Sequence, residues 1–134
     1  RYTSIGKDVK FLETGHHLCK FNKECVFTTN WLQPTHPRPV NIGNDVWIGE
    51  NVFIMDGLSI GDGAIIGSGA VISKNVPSFA VVIGNPQQIK RFRFTEEQRD
   101  KLKKIKWWSW SEDKVKNMIE DMLSIDRFIE IYNV

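Results

Sequence analysis

The chain has 134 residues, one domain's length, and its 41 % hydrophobic and 25 % charged content is that of an ordinary globular protein. No apolar run approaches the ~18 residues of a membrane-spanning helix, no secretory leader is visible, and no basic groove with interleaved aromatics argues for nucleic acid. The net charge of +2 is unevenly spread: seven basic and seven acidic residues over 1–83, ten and five over 84–116, one and four over 117–134. The middle block therefore suits a polyanionic ligand, although Lys101, Lys103, Lys104 and Lys106 read more simply as a solvated helix face. These features predict a cytoplasmic protein, and Arg1 in place of a starting Met predicts a fragment or trimmed chain.

The chain opens with a six-residue unit, "IGKDVK" at Ile5 to Lys10, whose meaning comes from a run further on. Residues 11–41 interrupt that pattern and read as a loop insertion. This stretch holds the two cysteines, Cys19 and Cys25, too close for a useful disulfide and read as reduced thiols. It also holds all three histidines, His16, His17 and His36. Adjacent His16 and His17 project divergently and His36 lies among Pro34, Pro37 and Pro39, so a three-histidine zinc site is disfavoured and no metal is expected. A neutral imidazole can accept a proton near pH 7, which makes the "TGHH" pair the candidate general base.

From Ile42 the chain counts in sixes: "IGNDVW", "IGENVF", "IMDGLS", "IGDGAI", "IGSGAV", "ISKNVP". The first position is isoleucine each time (Ile42, Ile48, Ile54, Ile60, Ile66, Ile72), and the second is glycine at Gly43, Gly49, Gly61 and Gly67. The fifth is Val46, Val52, Leu58, Ala64, Ala70 and Val76. Period six is out of phase with a helix of 3.6 residues per turn, and each glycine would cost that helix about 1 kcal/mol. A short strand plus a turn fits instead. Positions five and one flank position six, so they share one side of the strand and position six takes the other. One unit cannot bury its own apolar side, so the units must stack as a solenoid.

After "GNP" the pattern becomes helical. Thr95 with Gln98, and Ser109 with Glu112, read as capping boxes. Val115, Met118, Ile119, Met122 and Leu123 form a stripe at helical spacing, and Trp107, Trp108 and Trp110 read as anchors. The expected division is a β-helix over 1–94, with its loop at about 11–41, and a helical segment over 95–134 packed on the prism or on a neighbouring subunit.

The stretch "GNDVWIGENVFIMDGLSIGDGAIIGSGAVISKNVPSFAVVIGNPQQIKRFRF" resembles the xenobiotic and sugar O-acetyltransferases of the hexapeptide-repeat superfamily. The tail "LKKIKWWSWSEDKV" resembles the chloramphenicol and streptogramin A branch and related polysaccharide O-acetyltransferases. The resemblance covers residues 42–116 and, more loosely, 1–17. It implies an all-β fold, a left-handed parallel β-helix with a projecting loop and short C-terminal α-helices. Three units then make one triangular coil, so stacked neighbours lie 18 residues apart. The outward sixth positions sort into Trp47 with Ile65, Phe53 with Val71, and Ser59 with Pro77, so two walls are apolar, as an interface requires. The resemblance further implies a homotrimer with active sites between subunits, binding neither nucleic acid nor membrane, and acetyl-CoA as donor for a hydroxyl-bearing acceptor. His16 or His17 falls at the loop base. Trp47 falls beside the acetyl-CoA arm, Gly67, Ser68 and Ser73 at the pantetheine, Asn85 and Pro86 at the turn leaving the prism, and Lys74, Lys90 and Arg91 near the phosphates. Position 50, often a small hydroxyl residue in such enzymes, is Glu50, leaving a backbone N–H as the expected oxyanion donor. N-acetylation of an amino sugar and a catalytically silent trimeric scaffold are the alternative expectations.

Overall fold

In the computed structural model of the chain, residues 1–12 and 38–132 are described. The hexapeptides form a three-walled parallel β-helix. The first wall stacks β1 (Ser4–Ile5), β4 (Trp47–Ile48), β7 (Ile65–Ile66) and β9 (Ala80–Ile83), with β10 (Gln88–Phe92) returning antiparallel along its edge. The second wall stacks β2 (Lys10–Leu12), β5 (Phe53–Met55) and β8 (Val71–Ile72), and the third pairs β3 (Asn41–Ile42) with β6 (Ser59–Ile60). Trp47 pairs with Ile65 and Phe53 with Val71, the 18-residue offset expected of three units per coil. The unit at Ile5 is a genuine rung, since Ile5 stacks on Ile48 and Phe11 on Ile54.

The isoleucines line the shaft as their period demands. Ile48, Ile54, Ile60, Ile66 and Ile72 are fully buried, whereas Ile42, in the first coil, is only partly so. Each buried side chain of this size contributes roughly 1.5–3 kcal/mol. Corner geometry explains the other repeated positions. The fourth residue of every full unit has positive φ, from Asp8, Asp45 and Asn51 to Gly57, Gly63 and Gly69, a conformation that Gly, Asn and Asp adopt at least cost. The second-position glycines permit close stacking of corners: a Cβ on Gly49 would lie 2.6 Å from the Ser68 amide nitrogen and hydroxyl of the next coil.

Within the run that begins at Ile42 the period fails at one corner. Ile65 pairs with Val81 and Ile60 bridges to Val76, offsets of 16 residues, so the third coil lacks two residues at the corner between Ile72 and Val76. Val76 is therefore a first-position residue rather than a fifth. It opens a further unit, "VPSFAV", that counting in sixes from Ile42 passes over. Pro77 consequently does not share the outer column of Ser59; Asn75 does, and its Oδ1 accepts the Ser59 amide hydrogen at 2.9 Å.

The C-terminal part is helical, with 28 residues in α1 (Glu96–Ile105), α2 (Glu112–Met122) and α3 (Ile125–Ile131), so the all-β description fits the prism alone. Thr95 and Gln98 form the expected capping box. At α2 the cap is Ser111, whose side chain accepts from the Lys114 amide, while Ser109 Oγ donates to the Lys106 carbonyl. Phe79 joins the two parts. Reset into the unit by the short coil, it occupies the positive-φ corner at +61° and buries its ring among Leu102, Ile105, Trp108, Phe128 and Ile129. The tryptophans thus anchor the helical layer as expected. The α2 stripe buries only in part: Met122 packs against this core and Val115 and Met118 are half-buried, but Ile119 is 52 % exposed and Leu123, just beyond the helix, 83 %. No described helix is long and apolar enough to cross a membrane.

Candidate functional site

The outward residues of the first wall form one column, Ser4, Trp47, Ile65, Val81 and Arg91, fixed by strand register. Trp47 is 56 % exposed, so the helical layer leaves this wall open. Three strand spacings separate Trp47 from Arg91, about 14 Å at ~4.8 Å each. The column is apolar through Ile65 and Val81 and ends in a cation, with exposed Lys90 at the irregularity in β10 beside it. On the adjacent second wall Lys10 Nζ lies 5.3 Å from the Phe53 ring, with Val71 stacked beyond.

These two walls meet at the corner that carries Gly67 and Ser68. Gly67 N–H donates to the Val82 carbonyl at 2.8 Å, as part of the ladder. Ser68 is exposed, and its hydroxyl accepts the Glu50 amide hydrogen at 3.1 Å. A backbone N–H was the expected substitute oxyanion donor, and that of residue 50 itself is engaged within the prism.

Ser73 and Lys74 occupy the opposite corner of the second wall, the one shortened by two residues. Their backbone N–H groups both donate to Gln87 Oε1, at 3.0 and 3.1 Å, and Gln87 Nε2 donates to the Lys74 carbonyl at 3.2 Å. Asn85 and Pro86, joined by a cis peptide, lie in the turn just before Gln87, and the Val71 amide donates to Gly84 O at 3.1 Å. The nine residues assigned to acetyl-CoA by resemblance therefore form two groups. Trp47, Lys90 and Arg91 share the first wall with the Gly67–Ser68 corner at its border, and Ser73 and Lys74 are tied to the Asn85–Pro86 turn across the second wall. Gln87, which makes that tie, carries no signal in the sequence beyond its place after "GNP".

His16 and His17 lie outside the described residues. On either side of them the described residues end at Leu12, paired with Met55, and resume at Arg38. Arg38 is fastened there by Asp56: its backbone N–H donates to Oδ2 at 3.1 Å, its Nε to Oδ2 at 3.4 Å and its Nη2 to Oδ1 at 3.5 Å. Asp56 is only 5 % exposed. Burial pushes its carboxyl pKa up, but the hydrogen bonds and charge of Arg38 outweigh that and hold it below the usual carboxylate range. Gly57 completes the junction, donating its N–H to the Arg38 carbonyl. A cavity of 530 Å³ borders it, lined by Phe11, Leu12, Arg38, Val40, Ile42 and Asp56 among others. Phe11, Val40 and Ile42 hold shaft-facing positions of the first coil, so this cavity is the mouth of the shaft rather than a groove on a wall.

Residues 39–74 match the family model of the bacterial transferase hexapeptide (six repeats). The chain is 34 % identical to a chloramphenicol acetyltransferase of Klebsiella aerogenes, over 86 % of its own length and 60 % of the relative's. Among solved structures it is similar to a hexapeptide-repeat acetyltransferase of Vibrio cholerae complexed with acetyl coenzyme A, with 30 % identity, a TM-score of 0.56, and coverage of 70 % of this chain and 48 % of that one. It is also similar to a galactoside acetyltransferase in complex with coenzyme A, with 31 % identity, a TM-score of 0.54, and coverage of 74 % and 44 %. The chain thus spans about half of these relatives' lengths. The matched repeat and the observed three-walled coil together identify residues 39–74 as a bacterial transferase hexapeptide repeat.

Proposed function

We propose that the protein is an acetyltransferase that moves the acetyl group of acetyl-CoA to a hydroxyl of a sugar, polysaccharide or antibiotic-like acceptor. The observation that carries this is the outward column from exposed Trp47 through half-buried Ile65 and Val81 to exposed Arg91, on a prism similar to two acetyltransferases solved with acetyl-CoA or coenzyme A. Its apolar length suits the pantetheine arm and its cationic end suits phosphates. Gly67, Ser68, Ser73, Lys74, Asn85, Pro86, Lys90 and Arg91 complete the donor site in this reading. Positive φ at the corner of each full unit is in keeping with a left-handed coil. Exposed Trp47 and the half-buried apolar outer residues of the first and second walls favour a homotrimer whose clefts hold the donor. A cytoplasmic location is part of the same proposal.

One of His16 and His17 takes the acceptor's hydroxyl proton as its oxygen attacks the thioester carbonyl. The carbon–sulfur bond then breaks and the thiolate leaves with that proton, so no metal and no acyl-enzyme are required. A thiol-release assay over a panel of hydroxyl and amino acceptors tests the activity, and analysis of the product separates ester from amide. The base assignment predicts that His16→Ala or His17→Ala lowers kcat by roughly 10²–10⁴-fold. Full activity in both variants overturns it.

A further inference from the structure

Two of the residues assigned to the donor site, Ser73 and Lys74, hydrogen-bond to a side chain with no assigned role, that of Gln87, directly after two more, Asn85 and Pro86. Among the described residues β8 is the last strand of the second wall, with no further strand stacked on it. Below, each such edge is closed by the next rung, as when the Phe53 amide donates to the Ala70 carbonyl. At the top of β8 the turn after β9 substitutes for the missing strand. Gly84 O takes the Val71 amide, and the Gln87 side chain takes the Ser73 and Lys74 amides while returning a hydrogen bond to the Lys74 carbonyl. One amide side chain thus does for this corner what a backbone rung does elsewhere. It also links the corner to the Asn85–Pro86 turn directly before it in sequence.

We infer that Gln87 is a positioning residue of the donor site: by bridging the Ser73–Lys74 corner and the Asn85–Pro86 turn, it holds both in the arrangement that binds acetyl-CoA. The inference rests on the donor-site reading above. Hydrogen bonding at this corner is exposed to solvent, so its loss costs the fold little, because water satisfies the freed groups. What it removes is the fixed relation between two backbone segments and the Lys74 side chain that one of them carries. A residue serving only as an end cap changes stability without separating donor from acceptor affinity; a positioning residue changes donor affinity selectively.

The test is calorimetric titration of the full chain with acetyl-CoA, with steady-state KM values for both substrates and melting temperatures in parallel. Gln87→Leu is expected to weaken acetyl-CoA binding roughly tenfold, as lost hydrogen bonds of this kind do, with the acceptor KM unchanged. Gln88→Leu, on the neighbouring exposed residue, is expected to leave affinity unaltered. Gln87→Glu keeps an oxygen for the two amides, and near 1 M salt, where the Debye length is ~3 Å, it is expected to retain most of the affinity. Gln87→Ala, too short to reach the amides, reads the same quantity if the leucine variant folds poorly. Wild-type protein that binds no acetyl-CoA overturns the donor-site reading and this inference with it. Wild-type binding with an unchanged affinity in Gln87→Leu or Gln87→Ala, or equal losses of both substrates' affinities, overturns the inference alone.

Discussion

Gly63 and Gly69 occupy the same place in successive units and share a backbone conformation, φ +67° and +74°, yet they face different surroundings. A Cβ on Gly69 meets nothing within 4 Å, whereas one on Gly63 would lie 2.4 Å from Phe79 Cδ1 and 2.6 Å from Cε1. Replacing either by alanine puts a Cβ into a left-handed conformation, a cost of about 1–2 kcal/mol. Only Gly63→Ala must also displace a ring that is 1 % exposed and packed edge-on to Phe94 at 5.8 Å. Overpacking of that kind costs about 1–3 kcal/mol. The expected losses are thus ~1–2 kcal/mol for Gly69→Ala and ~2–5 kcal/mol for Gly63→Ala. Urea unfolding followed by far-UV circular dichroism measures both, at one protein concentration because assembly shifts apparent stability. The gap should shrink in a Phe79→Leu background, where the smaller side chain can yield. Equal costs for the two glycines, or a gap indifferent to residue 79, would refute the claim that Phe79 fixes this corner.

Two further expectations concern the prism. Ile66→Ala, at a shaft position 1 % exposed, should cost about 2–5 kcal/mol, while Ile119→Ala, 52 % exposed on α2, should change urea stability by no more than about 0.5 kcal/mol; similar losses at both sites would mean that α2 is buried against a partner. The depressed pKa of Asp56 implies a contribution to stability that is present above the ordinary carboxylate value of 3.8 and lost as pH falls through the lower folded-state pKa. Asp56→Asn should therefore lower stability by about 1–2 kcal/mol near neutral pH, and the gap from wild type should close below about pH 4; a gap that persists in acid would show that the lost charge is not its source.

The prism was legible because two independent constraints speak through the same six positions. Buried isoleucine at position one records the shaft, and Gly, Asn or Asp at position four records the left-handed corner, so each unit announces itself twice. Where one constraint is relaxed, legibility fails. Between Ile72 and Val76 two residues are missing, and position four of the next unit is Phe79, a residue that no corner rule anticipates. The ring tolerates that backbone because it leaves the prism and fills the helical core. Helix capping failed by a smaller margin. Ser109 has Glu112 at the capping-box spacing whereas Ser111 has Lys114 there, yet the short 3₁₀ turn at Trp107–Ser109 places the helix start after Trp110 and makes Ser111 the cap.

The candidate site divides along similar lines. Trp47 could be placed because strand alternation alone determines that a sixth-position side chain points outward, and Arg91 joins its column only once the antiparallel return of β10 is known. The backbone donors at Gly67, Ser73 and Lys74 could not be judged from residue type, since whether an N–H is available depends on what stacks above it. Here the ladder takes the first and Gln87 the other two. That occupancy constrains the chemistry: at these three positions the prism offers a donor side chains and carbonyl oxygens rather than unpaired amides. The amide of residue 50 is likewise held by Ser68. In the proposed reaction, an oxyanion formed at the thioester must therefore find its hydrogen-bond donor in a side chain, in one of the remaining amides, or, in the proposed trimer, on the facing wall of a second subunit.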